Sequence, residues 1–173
     1  IQQLRDLHVE MDQAVAAAML GVYTACGQMC VGAERLYVFD GIYDRFISEV
    51  CDRVRTLRQG PPSLEPAERG RFDVGATTMP RQIEIIERQL ADAVARGDRI
   101  LVGGRRNPDW PGQFFEPNVL VDVRPDMEIV QRETFVSGDG RVVGGWAYNT
   151  TTQRYKGYYA VLSSGGTCDA DAN

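Results

Sequence analysis

Apolar residues in the first 95 positions recur at the three- and four-residue spacing of amphipathic α-helices. The pattern predicts helices over residues 11–26, 42–57 and 80–95, and a glycine just past each run is a helix stop signal. The inward positions predicted for the second and third helices are Ile42, Phe46, Val50, Val54, Leu57, Ile83, Ile86, Leu90 and Val94.

Short apolar runs between and after these helices predict β-strands. They cover residues 35–39, 100–102 and 119–123, with a further candidate at 127–130. Strands that alternate with helices of this length are typical of an α/β fold, with a largely parallel sheet flanked by helices. From residue 136 onward the chain is rich in Gly and Tyr, which predicts an irregular C-terminal tail over 136–173, separate from an ordered segment over 1–135.

The amino-acid composition limits the functional classes to which the protein can belong. Apolar residues make up 43% and charged residues 25% of the chain, as in ordinary globular domains. The 19 Lys and Arg residues are outnumbered by 24 Asp and Glu, so the net charge of −5 argues against a nucleic-acid partner. No apolar run approaches the roughly 18 residues that a membrane-spanning helix needs, and no signal peptide is apparent.

The chemistry of the chain depends on its cysteines, Cys26, Cys30, Cys51 and Cys168. They form no Cys-x-x-Cys pair, and the one histidine, His8, is distant in sequence, so no metal site is predicted. We expect free thiols in a reducing compartment. Cys26 and Cys51 fall on apolar helix faces and are predicted to be core residues. Cys30 lies among small residues in a turn, where it is either a nucleophile open to substrate or a small buried hydrophobe.

Several motifs together resemble one family. Gly27-Gln28-x-Cys30, followed by Arg35 and Tyr37-Val38, resembles the nucleophile motif of the aldehyde dehydrogenase superfamily. The later motifs follow that family's order over about residues 8–135: Ile42-Tyr43-Asp44-x-Phe46, Gly60-Pro61-Pro62, Asp73-Val74-Gly75, Gly103-Gly104, Phe115-x-Pro117, Pro125-Asp126-Met127 and Glu133-Thr134-Phe135. The resemblance therefore implies part of an aldehyde dehydrogenase catalytic domain, with the run Gly32 to Arg35 similar to a plant and algal branch.

The resemblance also implies roles for individual residues. Cys30 would attack an aldehyde to give a thiohemiacetal, which becomes a thioester and is hydrolysed to a carboxylic acid. Met29 and Val31 would line the substrate pocket. Glu133 would bind the nicotinamide ribose of NAD or NADP, and Phe135 would pack near the nicotinamide ring. The resemblance further implies that the full-length relatives are homo-oligomeric, and we expect a cytoplasmic location.

Other features depart from the family pattern. The general-base Glu-Leu-Gly-Gly motif and the cofactor domain do not occur in the sequence, and Val136-Ser137-Gly138 stands where Gly-Pro is expected. We therefore expect an incomplete fragment that is inactive in isolation and that self-associates through exposed apolar surface. The alternative is a non-catalytic binding or assembly module derived from an aldehyde dehydrogenase.

Overall fold

The computed structural model describes residues 10–29, 32–63, 65–132 and 134, and the backbone of residues 157–159. Its α-helices are α1 (Met11–Tyr23), α2 (Tyr43–Arg55), α3 (Pro80–Ala95) and the short α4 (Glu128–Gln131). Its strands are β1 (Arg35–Tyr37), β2 (Arg99–Val102), β3 (Val119–Val121) and β4 (Gly157–Tyr159). Short 3-10 turns occupy Thr24–Gly27, Asp40–Ile42 and Pro66–Glu68.

Helices cover both faces of the sheet, and strand β3 shows this most clearly. Val119 and Val121 pack in one buried cluster with the apolar faces of α1 and α2. Leu120, between them, belongs to a second cluster with α3 and with Met127 and Ile129. Since successive side chains of a strand point to opposite faces, the sheet is the middle layer of a helix–sheet–helix arrangement. The predicted α/β class, with helices flanking a sheet, is confirmed.

The direction of the strands differs from the prediction. The sheet order is β1-β4-β3-β2, and each of these neighbouring pairs is antiparallel. The expectation of a largely parallel sheet is therefore wrong for the described strands. Residues 103–118, between β2 and β3, double back through an antiparallel bridge of Arg106 with Phe115 instead of forming a crossover helix. Without a crossover, consecutive neighbours pair antiparallel.

The three long helices match the predicted segments closely, but two inward positions do not. Ile42 is 45% exposed and Val94 is 48% exposed. Ile42 lies in the 3-10 turn before α2, outside the helical stripe. In α3 the buried face continues from Leu90 to Ala93, which places Val94 beyond its edge.

The predicted strand at 127–130 is helix α4. Met127 and Ile129 are apolar and fully buried, as the residues of a core strand would be. A short apolar run does not by itself distinguish a helix from a strand. The deciding contact is tertiary: the main-chain N–H of Glu128, at the start of α4, donates to the Asp92 carboxylate of α3 at 3.0 Å. Within residues 136–173, which the sequence predicts to be irregular, the described residues are Gly157–Tyr159, and they form the short strand β4.

Steric crowding explains why glycine occupies position 103 of the Gly103-Gly104 pair. Gly103 has a φ of +69°, and a Cβ atom there would lie 2.2 Å from the carbonyl oxygen of Pro117. Only glycine fits this approach without moving the backbone. The pair thus allows β2 to turn sharply beside the residues that enter β3.

Candidate functional site

The segment before Cys30 leaves α1 through an unusual turn. Ala25, Cys26 and Gly27 have φ angles of 53°, 59° and 67°, in the left-handed region. Gly27 adopts this conformation readily, whereas Ala25 and Cys26 are strained by their Cβ atoms. The turn reverses the chain at the end of α1 and directs it toward Gln28.

Hydrogen bonds connect the described residues on either side of the predicted nucleophile. The main-chain N–H of Gly32 donates to the carbonyl of Met29 at 3.0 Å, and the N–H of Ala33 donates to the carbonyl of Gly21 at 2.8 Å. Cys30 and Val31 are the two residues between the first pair of partners, and they lie outside the described residues. Met29, predicted to line the substrate pocket, is half-buried.

The chain downstream of Cys30 contacts the segment predicted to bind the cofactor. Arg35 donates from Nη2 to the carbonyl of Val130 at 2.8 Å. The main-chain N–H of Thr134 donates to Oε1 of Glu34 at 3.4 Å. Glu133 and Phe135 lie outside the described residues, but both are covalent neighbours of Thr134. The described flanks of the two predicted groups are therefore adjacent in space.

Thr134 is held by a buried polar network that the sequence did not reveal. Its hydroxyl donates to Oε1 of Gln89 at 2.7 Å, and its carbonyl accepts from Nε2 of Gln82. Gln82 and Gln89 are 1% and 0% exposed. Seven residues apart, they lie on one face of α3. Two glutamines at that spacing on an otherwise apolar face are the signal by which the network could have been found.

The two described cysteines have the properties of core residues. Cys26 and Cys51 are buried free thiols, as predicted. Burial raises the pKa of the Cys26 thiol, partly offset by a backbone hydrogen bond from Gly75. Burial also raises the pKa of Cys51, with Arg55 lowering it and Asp52 raising it less strongly. A thiol with a raised pKa is a poor nucleophile at neutral pH.

The described residues contain neither a metal-ligand cluster nor a membrane-spanning helix. Across the described residues, no cluster of three or more His, Cys, Asp or Glu side chains has a geometry suited to a metal ion. None of the helices in that same part of the chain combines the length and apolarity needed to cross a membrane.

Comparison with known proteins decides the family. The sequence profile of the aldehyde dehydrogenase family matches residues 6–137. The chain belongs to the aldehyde dehydrogenase family. The resemblance that the motifs indicated is thereby confirmed, and the matched segment contains every predicted site residue.

Individual members of the family show the same relationship. The chain is 34% identical over 125 residues to succinate-semialdehyde dehydrogenase [NADP(+)] 2 of Schizosaccharomyces pombe, covering 72% of this chain and 24% of that protein. It is 35% identical over 130 residues to 3-sulfolactaldehyde dehydrogenase of Pseudomonas putida, covering 73% and 25% respectively.

Solved structures agree with the fold. Succinate-semialdehyde dehydrogenase from Burkholderia pseudomallei superposes with a TM-score of 0.63 at 33% identity, over 72% of this chain and 24% of that chain. Betaine aldehyde dehydrogenase from Staphylococcus aureus, in complex with NAD+, gives 0.64 at 32% identity, over 72% and 24%. The chain thus spans about a quarter of the length of these relatives.

Proposed function

We propose that this chain is the nucleophile-bearing segment of an NAD(P)-dependent aldehyde dehydrogenase, which oxidises an aldehyde to a carboxylic acid through Cys30. The supporting observation is that described residues beside Cys30 contact described residues beside Glu133, through Glu34–Thr134 and Arg35–Val130. The relatives described above are aldehyde dehydrogenases; the one from Schizosaccharomyces pombe is named for NADP(+), and the one from Staphylococcus aureus was solved in complex with NAD+.

In the proposed reaction the Cys30 thiolate attacks the aldehyde carbon, and a carbon–sulfur bond forms as the carbonyl electron pair moves to oxygen. Loss of hydride from that carbon converts the thiohemiacetal to a thioester, and water then releases the acid and the thiol. The nicotinamide cofactor supplies the hydride acceptor. Main-chain N–H groups near the turn would stabilise the oxyanion, because donors aimed at developing negative charge lower the barrier.

We expect the nicotinamide cofactor to bind beside Thr134. The contacts of Thr134 with Glu34, Gln82 and Gln89 support this expectation, because they hold Thr134 itself close to the start of β1. Glu133 would hold the nicotinamide ribose, for which a carboxylate offers two acceptor oxygens. Phe135 would pack beside the nicotinamide ring. Met29 and Val31 would line the aldehyde pocket.

Selective alkylation of the full chain tests the proposal. We expect iodoacetamide to modify Cys30 at least about tenfold faster than Cys26 or Cys51 near neutral pH, since reactive cysteines are accessible and have lowered pKa values. Peptide mass spectrometry separates the sites, and the two buried thiols serve as internal controls. If Cys30 reacts no faster than Cys51, the nucleophile assignment is wrong.

A specific observation favours a second function, a binding or assembly module. An apolar groove of about 360 Å³ lies between α1, β1 and the start of α2. Phe39 on its rim is 83% exposed and Tyr37 is 64% exposed. Exposed aromatic side chains beside a groove are typical of interaction surfaces. This function predicts that substitutions in the groove alter association while Cys30 has ordinary reactivity.

A further inference from the structure

The side chain of Gln28, two residues before Cys30, is fully hydrogen-bonded. Its Oε1 accepts from the main-chain N–H of Thr78 at 2.7 Å and from the Thr78 hydroxyl. Its Nε2 donates to the carbonyls of Ala25 at 3.2 Å and Ala76 at 3.3 Å. A primary amide has two acceptor lone pairs and two N–H donors, so every hydrogen-bonding capacity of Gln28 is used.

The segment that holds Gln28 is itself well supported. Thr77 is 4% exposed, and both its main-chain N–H and its hydroxyl donate to the carbonyl of Gln113, at 2.8 and 3.1 Å. One residue earlier than Ala76, the carbonyl of Gly75 accepts from Nε2 of Gln59 at 3.2 Å. Gln28 is therefore hydrogen-bonded to a segment just before α3 that is itself held in place by hydrogen bonds.

These contacts bear directly on Cys30. Two residues of chain span at most about 7 Å, so a fixed Gln28 confines the position of Cys30. The hydrogen bond from Gly32 to Met29 joins the two described residues between which Cys30 and Val31 lie in the sequence. We propose that Thr78 is a positioning residue for Cys30, acting through the amide of Gln28. The inference rests on the proposed role of Cys30 as nucleophile.

Such positioning has a chemical consequence. A thiolate is favoured where main-chain N–H groups point at the sulfur, and a shift of about 1 Å in a reacting group can cost roughly a hundredfold in rate. We expect that loosening the Gln28 anchor lets the main chain that carries Cys30 shift, so that such donors stabilise the thiolate less well. The thiol would then behave more like a free cysteine.

Thr78→Val tests this in the full chain. Thr78 is exposed, and valine keeps its shape while removing the hydroxyl. The rate of Cys30 alkylation by iodoacetamide is measured between about pH 6 and 10. We expect the wild-type midpoint to lie below the free-thiol value of about 8.5 and the variant midpoint to move toward it. The rate near neutral pH should fall about three- to tenfold, and the plateau at high pH should stay within about twofold.

Three further variants make the test specific. Thr78→Ser retains the hydroxyl and should restore the wild-type profile. Thr77→Val removes a neighbouring hydroxyl that bonds to Gln113, not to Gln28, so it should leave the profile unchanged even if it lowers stability. Gln28→Met removes both bonds to Thr78, and adding Thr78→Val to it should change nothing more, because both act through one contact.

The outcomes separate the two claims. If the wild-type midpoint of Cys30 alkylation is lowered and Thr78→Val does not change it, the positioning inference is wrong, but the assignment of Cys30 as the nucleophile stands. A shift of the same size in Thr77→Val also overturns it, because general loosening then explains the effect. A wild-type Cys30 with the reactivity of a free thiol overturns the proposed function and the inference together.

Discussion

Arg35 and Val130 are joined by a hydrogen bond of 2.8 Å, from the guanidinium Nη2 to the main-chain carbonyl oxygen. The bond connects β1, which follows Cys30, to α4, which precedes Glu133. Its partners are 95 residues apart in sequence. Arg35, from the nucleophile motif, thus contacts the segment that precedes Glu133 through Val130, a residue outside the cofactor motif.

Replacing Arg35 with Met should destabilise this junction. The substitution keeps an apolar stem but leaves the carbonyl of Val130 without its charged donor. We expect the free energy of unfolding to fall by about 1.5–3 kcal/mol, as for other hydrogen bonds to charged groups. Urea denaturation measures it. Arg45→Met is the control: Arg45 is 70% exposed and pairs with Glu49 on α2, so its loss should cost less than about 1 kcal/mol. Equal effects would contradict the prediction.

Asp98 should make stability depend on pH. It follows Gly97 at the end of α3, is 6% exposed, and within the described residues neither carboxylate oxygen has a hydrogen-bond partner. Burial raises its pKa to about 6; Arg124 opposes this, while Asp122, Asp92 and Asp126 add to it. The folded state therefore binds its proton more tightly than the unfolded state, where the pKa is about 3.9. Stability should fall as the pH rises from about 4 to 6 and stay reduced above that range.

Asp98→Asn should remove this dependence, because an amide does not ionise. The variant should be more stable than wild type near neutral pH by on the order of 2–3 kcal/mol, and the difference should vanish below about pH 4. Thermal unfolding at several pH values measures it, and the acidic measurements are the internal control. A constant difference at every pH would show that the carboxylate charge is not the cause.

Ala25→Gly should stabilise the chain. Ala25 is exposed and has a φ of 53°, a conformation that costs a residue with a Cβ about 1–2 kcal/mol. Glycine adopts it freely but loses about 0.5–1 kcal/mol through the larger entropy of the unfolded chain. The expected net gain is about 0.5–1 kcal/mol in denaturant unfolding. Ala16→Gly, at an exposed position inside α1, should instead destabilise by about 1 kcal/mol.

Phe39→Ser should reduce self-association. Phe39 is 83% exposed on the rim of the apolar groove between α1 and β1, so it contributes little to the core. We expect weaker binding of a hydrophobic dye and a smaller sedimentation coefficient at high concentration, with stability changed by less than about 0.5 kcal/mol. Val94→Ser, 48% exposed and outside the groove, is the matched control. If both variants lower dye binding equally, the groove has no special role.

The sequence by itself determined the three long helices and the family. Helix periodicity is a local property, so α3 begins and ends where the pattern predicts, and α1 and α2 differ by a few residues at their ends. The family was evident because its motifs occur in a fixed order along the chain. Cys26 and Cys51 were also correctly placed in the core. Cys51 lies on the apolar face of α2 as predicted, whereas Cys26 is buried in the turn that follows α1.

Only the tertiary structure decided the direction of the strands, the helical state of residues 128–131 and the contacts around the site. Antiparallel pairing depends on how the loop between β2 and β3 returns, and α4 depends on a carboxylate from α3. Thr78 bonds to Gln28 across 50 residues, and Thr134 to Gln89 across 45. Hydrogen bonds between residues so far apart in sequence follow from how helices, strands and loops pack together, which local patterns of apolar and polar residues do not specify.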